Sequence, residues 1–98
     1  MIARATILGW DTIDALSPLG CVLVRVVARD SRFIDLGASV TLSFDVHPRT
    51  YRIMRTRVHG VNGWEDTAAS TVPFHILDLV ETVAREQAPR LMTPPSRR

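Results

Sequence analysis

A chain of 98 residues with 46% hydrophobic and 22% charged residues has the size of one domain and lies near globular averages, which excludes wholesale disorder. Its twelve basic residues are all arginine, and Cys21 is its one cysteine, so no internal disulfide forms and the oxidised secreted scaffolds are excluded. The net charge of +2 is too small to argue for nucleic acid on its own.

That small sum hides an uneven distribution. Residues 21–60 hold seven arginines against three aspartates, a net of +4, whereas residues 61–88 hold one arginine against five acids, a net of −4. The last ten residues add +3. No apolar run approaches the roughly 18–20 residues of a membrane span, and MIARATILGWDTIDAL is too short and polar for a secretory signal. Together with the lone cysteine, this sets the expectation of a cytoplasmic protein with no membrane role.

In chain order, residues 1–9 are expected to form a first strand. Trp10, Ile13 and Leu16 have helical spacing, and Asp11 is a suitable cap, so a short helix is expected before Pro18 and Gly20. The β-branched run CVLVRVVAR, residues 21–29, predicts a strand with Val22, Val24, Val26 and Ala28 on its apolar face and Leu23, Arg25, Val27 and Arg29 on a mixed face. A connection follows, with a short extended piece at 33–36. Residues 38–46 alternate most cleanly: Ala38, Val40, Leu42, Phe44 and Val46 against Ser39, Thr41, Ser43 and Asp45, the pattern of a half-buried antiparallel strand. His47-Pro48-Arg49-Thr50 suits a type I turn into a strand at 51–59, which completes a hairpin. Asn62-Gly63 suits a type I′ turn, with Trp64 opening a short return strand.

Residues 73–88 predict the one long helix, capped by Ser70 or Thr71 with Pro73 in its first turn. Phe74, Leu77, Val80 and Ala84 are expected on its buried face, with Ile76 and Val83 beside them. Glu81 and Arg85 form an i,i+4 pair, and Pro89 is expected to stop the helix. Strands followed by one helix predict an α+β fold: a mainly antiparallel sheet of four or five strands packed by one C-terminal helix. Residues 1–88 form the domain in this scheme, and residues 89–98 a disordered basic tail.

Catalytic and cofactor chemistry finds little support. His47, His59 and His75 show none of the HxxxH, CxxC or HExxH spacings of metal sites. His47 and His59 sit at opposite ends of one strand, about 30 Å apart at 3.3 Å per residue, so no metal site is expected within one chain. Ser43, Asp45 and His47 lie about 6.6 Å apart in a line along a strand, beyond the hydrogen-bond reach that a triad needs, and no GxSxG elbow is present. Arg25 and Arg29 have an RxxxR spacing that superficially resembles the arginine motif of PilZ domains. That family also expects a (D/N)xSxxG pattern, which the run from Asp35 to Val40 does not supply, so the spacing assigns no family. The arginines remain candidate anion ligands. No enzyme, cofactor or catalytic residue is expected.

Binding is the remaining class. Arg25, Arg29, Tyr51, Ile53, Arg55, Arg57 and Trp64 interleave arginine with apolar and aromatic side chains, the residue types enriched at protein-binding hot spots. They predict a small interaction or regulatory protein that docks on a protein partner, of the kind found among bacterial or phage accessory proteins and inhibitors. Self-association into a homodimer, with the basic sheet of one copy on the acidic helix of another, is a second form of the same expectation. The alternative is a nucleic-acid binder using an arginine-rich hairpin, Arg49, Arg52, Arg55 and Arg57, with Tyr51 and Trp64 to stack bases.

Overall fold

The structure, a computed structural model, describes residues 5–30, 39–60 and 63–92. The expected extended piece at 33–36 and the tail beyond Met92 lie outside the described residues. Five strands, β1 (Ala5–Thr12), β2 (Val22–Asp30), β3 (Val40–Val46), β4 (Ile53–Gly60) and β5 (Gly63–Thr67), form one antiparallel meander in the order β1-β2-β3-β4-β5. A 3-10 turn, Ala69–Thr71, leads into helix α1, Phe74–Met92. This is the α+β arrangement expected from the pattern of strands followed by one C-terminal helix.

The helix packs on one face of the sheet, mainly against β2 and then β3. Val22, Val24 and Val26 of β2 and Phe44 and Val46 of β3 are wholly buried there, against Ile76, Val80, Val83, Ala84 and Ala88 of α1. Alternation in β2 and β3 makes this layer: in a strand, every second side chain reaches the same face. The apolar stripe of α1 follows i, i+4, i+7, i+8 and i+12 from Ile76, which rotates it away from Phe74. Phe74, expected in the core, is 75% exposed, and Leu77 only borders the core.

Several boundaries differ from expectation. Trp10 continues β1, so no helix forms at 10–16; β1 reaches Thr12 because Gly9 to Thr12 pair with Val27 to Val24 after a bulge at Leu8. Leu16 instead borders the core from an irregular segment, where Asp14 meets Arg90 of α1 at 3.5 Å. The helix does not stop at Pro89 but runs to Met92. A proline removes only its own backbone donor and crowds the preceding turn, while Ala88 and Leu91 on either side of it pack against the core. Residues 89–92 are therefore helix and not tail. The helix start also differs, since Thr71 lies in the 3-10 turn and the Pro73 carbonyl accepts the first bonds, from Ile76 (3.0 Å) and Leu77 (3.3 Å).

The hairpin linking β3 and β4 departs most from simple alternation. The His47 carbonyl accepts from Tyr51 N–H at 2.9 Å, and His47 N–H donates to the Arg52 carbonyl at 2.8 Å. The loop is thus one residue wider than a four-residue type I turn, and Tyr51 takes a left-handed backbone (φ 61°), an uncommon state for a non-glycine residue. His47 Nδ1 accepts from the backbone N–H of Arg49 and Thr50, at 3.1 and 3.2 Å, which holds the turn. Met54 is then an extra residue: Arg55 pairs with Asp45, but Ile53 pairs with Val46. This bulge moves the start of β4 onto the opposite face. In the last hairpin Gly60 pairs with Gly63, whose φ of +97° suits glycine, so the reversal falls one residue earlier than Asn62-Gly63.

One defect sits on the helix-facing side. The hydroxyl of Thr56, a residue only 4% exposed, has no hydrogen-bond partner among the described residues. A buried polar group left unpaired costs about 1–3 kcal/mol. Thr56→Val keeps the shape and removes the hydroxyl, so urea unfolding should show a gain of that order; a loss of stability would mean that the hydroxyl is satisfied in solution.

Candidate binding face

The second face of the sheet carries no helix, and no described element packs on it. Register assembles its side chains in cross-strand rows. The central row runs Asp11 (β1), Arg25 (β2), Ser43 (β3), Arg57 (β4), Asp66 (β5), each member directly paired with the next. One row over, Leu23 pairs with Asp45 and Asp45 with Arg55. On the other side Gly9 pairs with Val27, Val27 with Thr41, and His59 with Trp64.

Contacts within these rows order the long side chains. Arg25 donates through Nε and Nη2 to both carboxylate oxygens of Asp11, at 3.1 and 3.0 Å. Arg55 Nε donates to Asp66 at 2.9 Å. The Arg57 guanidinium lies over the Trp64 ring, 5.5 Å from its centroid, and the His59 ring meets Trp64 edge-on at 5.0 Å. The Arg57 Nε is buried with no hydrogen-bond partner among the described residues. The ion pairs are surface pairs, with Asp11 and Asp66 side chains 59% and 71% exposed; such pairs contribute about 0–1 kcal/mol each and hold a guanidinium without locking it. Ser43 and Asp45, short side chains set between long ones, are each 2% exposed.

Of the residues expected to bind a protein, Arg25, Arg29, Arg55, Arg57 and Trp64 belong to strands that present this face. Tyr51 and Ile53 do not join them, because the Met54 bulge turns Ile53 onto the helix side with Val46. Both border the core, and the Arg85 guanidinium of α1 covers the Tyr51 ring at 4.3 Å. The four arginines expected to bind nucleic acid separate in the same way. Arg55 and Arg57 lie on the open face, Arg49 is in the turn, and Arg52 borders a depression shared with Asp78 and Glu81 of α1. Sequence reasoning left out Leu8, Asp11, Ser43, His59 and Asp66 from the face. The Asn62-Gly63 signal would not have found them, since a reversal centred there sets residue 61 opposite Trp64; the observed pairs, His59 with Trp64 and Arg57 with Asp66, follow from a reversal one residue earlier.

Leu8, Gly9, Trp10, Asp11, Arg25, Val27 and Thr41 line an open depression of about 490 Å³ where β1 meets β2. Leu8, at the bulge, is 49% exposed; Trp10, 45% exposed, pairs with Val26 and so belongs to the helix side of this edge strand. At the far end of β2, Cys21 is buried, and its backbone N–H donates to Ser17 Oγ at 3.3 Å. Burial, and secondarily the Asp45 carboxylate, push its thiol above the ordinary value of 9.0. The folded chain therefore keeps this proton where the unfolded chain releases it. Stability from this group is full below pH 9.0 and is lost as pH rises from there through the folded value. Alkylation by iodoacetamide at pH 8.5 should be at least tenfold slower in native than in urea-unfolded protein; equal rates would show an accessible thiolate.

Among the described residues no group of three His, Cys, Asp or Glu side chains could hold a metal ion, and His47 and His59 are engaged in the turn and on Trp64. No helix among them is long and apolar enough to cross a membrane. No family model, no curated protein and no solved structure matches the chain.

Proposed function

We propose that this chain is a non-catalytic protein-binding module whose partner docks on the open face of the sheet. The observation that carries this reading is the Arg57–Trp64–His59 cluster beside Arg55 and Asp66 on a sheet face that no described element covers. Aromatic and arginine side chains supply most interface energy when they are already ordered, because less rotamer freedom is lost on binding. The carboxylates favour a protein over a nucleic acid. Asp11 and Asp66 stand at the two ends of the arginine row, with Asp45 beside its centre, and each repels a phosphate backbone. The hairpin arginines Arg49 and Arg52 also lie away from Arg55 and Arg57, so they give no continuous phosphate track.

Affinity purification from the native host, with wild type and the double variant Arg57→Ala/Trp64→Ala run in parallel, tests the proposal. A specific protein recovered by wild type and reduced at least tenfold by the variant is expected, with the thermal melt changed by only a few degrees. Equal recovery by both proteins would remove this face from the argument. Nucleic acid recovered in place of protein, and lost as salt is raised, would favour the other class.

A further inference from the structure

We infer that two copies of this chain associate through the groove between the start of α1 and the β3–β4 hairpin, each copy setting Phe74 into the groove of the other and pairing Arg52 with Asp78 across the contact. The groove lies on the helix side of the sheet, so this does not rest on the reading of the open face, which stays uncovered in each copy.

Two walls border a depression of about 350 Å³. Phe74, Leu77 and Asp78 of α1 stand at i, i+3 and i+4, one stripe of a helix, and form the first wall. Tyr51, Arg52 and Ile53, which enter β4 ahead of the Met54 bulge, form the second. The phase of α1 sets its stripe beside the buried one that starts at Ile76, so Phe74 borders the groove without filling it and stays 75% exposed. Met54, 57% exposed, borders the adjoining depression together with Arg52 and Ile53 and widens the apolar rim. An exposed ring thus stands beside an open hole lined by Tyr51, Ile53 and Leu77.

The charges decide what fills that hole. Among the described residues, Arg25, Arg55, Arg85 and Arg90 have carboxylate partners. Glu81 is one of those partners, held by Arg85 at 2.9 Å, and the same guanidinium covers the Tyr51 ring at 4.3 Å. Glu81, Arg85 and Tyr51 therefore already satisfy one another. Arg52 and Asp78 are both exposed, stand on opposite walls, and form no ion pair with a described residue. The hairpin wall offers a cation and the helix wall an anion that nothing described neutralises.

A twofold axis that lies in the interface and runs along the groove sets the helix wall of one copy on the hairpin wall of the other. Under that operation each Arg52 meets the Asp78 of the other copy, and each Phe74 lies against the Tyr51–Ile53 wall across the axis. The patch is self-complementary, which an isologous interface requires. A uniformly acidic or uniformly basic partner would match one wall and leave the charge of the other without a counterpart. Exposed ion pairs add little affinity, so the buried ring supplies the anchor and the two charge pairs fix register and partner.

Sedimentation equilibrium of the full-length protein over a concentration series is the test. Wild type should form a dimer with a dissociation constant in the micromolar range, as for small transient interfaces. Phe74→Ala should weaken it at least tenfold with an unchanged circular dichroism spectrum. Below the dissociation constant the copies are separate and Phe74 is an ordinary surface ring, so unfolding measured there reads the monomer. Arg52→Glu and Asp78→Arg should each be monomeric alone, because each sets like charge against like in both rim contacts. An equimolar mixture of these two variants should form a heterodimer, since the two exchanged charges then face each other and the two native ones do the same. Wild type that stays monomeric at millimolar concentration, a dimer that Phe74→Ala leaves intact, or a mixture no more associated than either variant alone would overturn the inference. A dimer lost with Arg57→Ala/Trp64→Ala but kept by Phe74→Ala would move self-association to the open face and overturn it as well.

Discussion

Phe44→Ala should lower the unfolding free energy by about 3–5 kcal/mol, the range for deleting a wholly buried phenylalanine. Phe44 is the largest fully buried side chain among the described residues and has no exposed surface. It sits in the middle strand of the five, paired with Val24 on one side and Thr56 on the other. No neighbour can collapse into the gap without moving a strand that is itself held on both edges, so a cavity term adds to the lost burial. Domains of this size have about 5–15 kcal/mol in total, so the variant should melt far below wild type. The control is Phe74→Ala. Phe74 is 75% exposed, and its removal should stay within about 0.5 kcal/mol, as for other surface sites. Urea unfolding of both variants decides the matter. A Phe74 loss as large as the Phe44 loss would place the helix in a different rotation from the one described.

Two neighbouring valines give the second large contrast. Val26 is wholly buried against α1, whereas Val27 is half-buried on the open face. Val26→Asp puts a carboxylate into an apolar layer with no partner, at a cost of about 5 kcal/mol or more while it stays ionised, and should abolish folding at neutral pH. Its defect should shrink in acid, because a buried carboxyl avoids the penalty by taking a proton. Val27→Asp should cost about 1 kcal/mol or less, since its side chain stays near water and between Arg25 and Arg29 along the strand. Circular dichroism and proton NMR at pH 7 and pH 4 distinguish the outcomes. Two equally damaged variants would mean that a second layer covers the open face.

The strands most legible in the sequence are those that do one thing along their whole length. Val40 to Val46 alternate without interruption, and β2 carries its valines at every second position, so the helix-facing layer could be read directly from period-two patterning. What could not be read depends on partners far along the chain. Nothing in Ile53-Met54-Arg55 marks Met54 as an extra residue; the bulge is defined only against Asp45 and Val46 of the paired strand. Pro89 obeys a local rule that tertiary contact overrides, because Ala88 and Leu91 gain more from packing than the helix loses at the proline. Trp10, Ile13 and Leu16 have the spacing of a helix, yet Trp10 belongs to a strand that β2 recruits. The candidate face was legible as a residue class, arginine with aromatic, but its membership was not. Asp11 and Asp66 enter only through register, and Tyr51 and Ile53 leave through the bulge.

The Met54 bulge divides β4 into two phases of one ribbon. Before it, odd-numbered residues serve the interior; after it, the same parity lies on the open face. Taking Met54 out would restore plain alternation, with Ile53 still opposite Val46 on the helix side and Arg55 still opposite Asp45 on the open face. The extra residue is therefore removable in principle without moving a side chain from one face to the other, and what a deletion would take away is the exposed Met54 side chain itself.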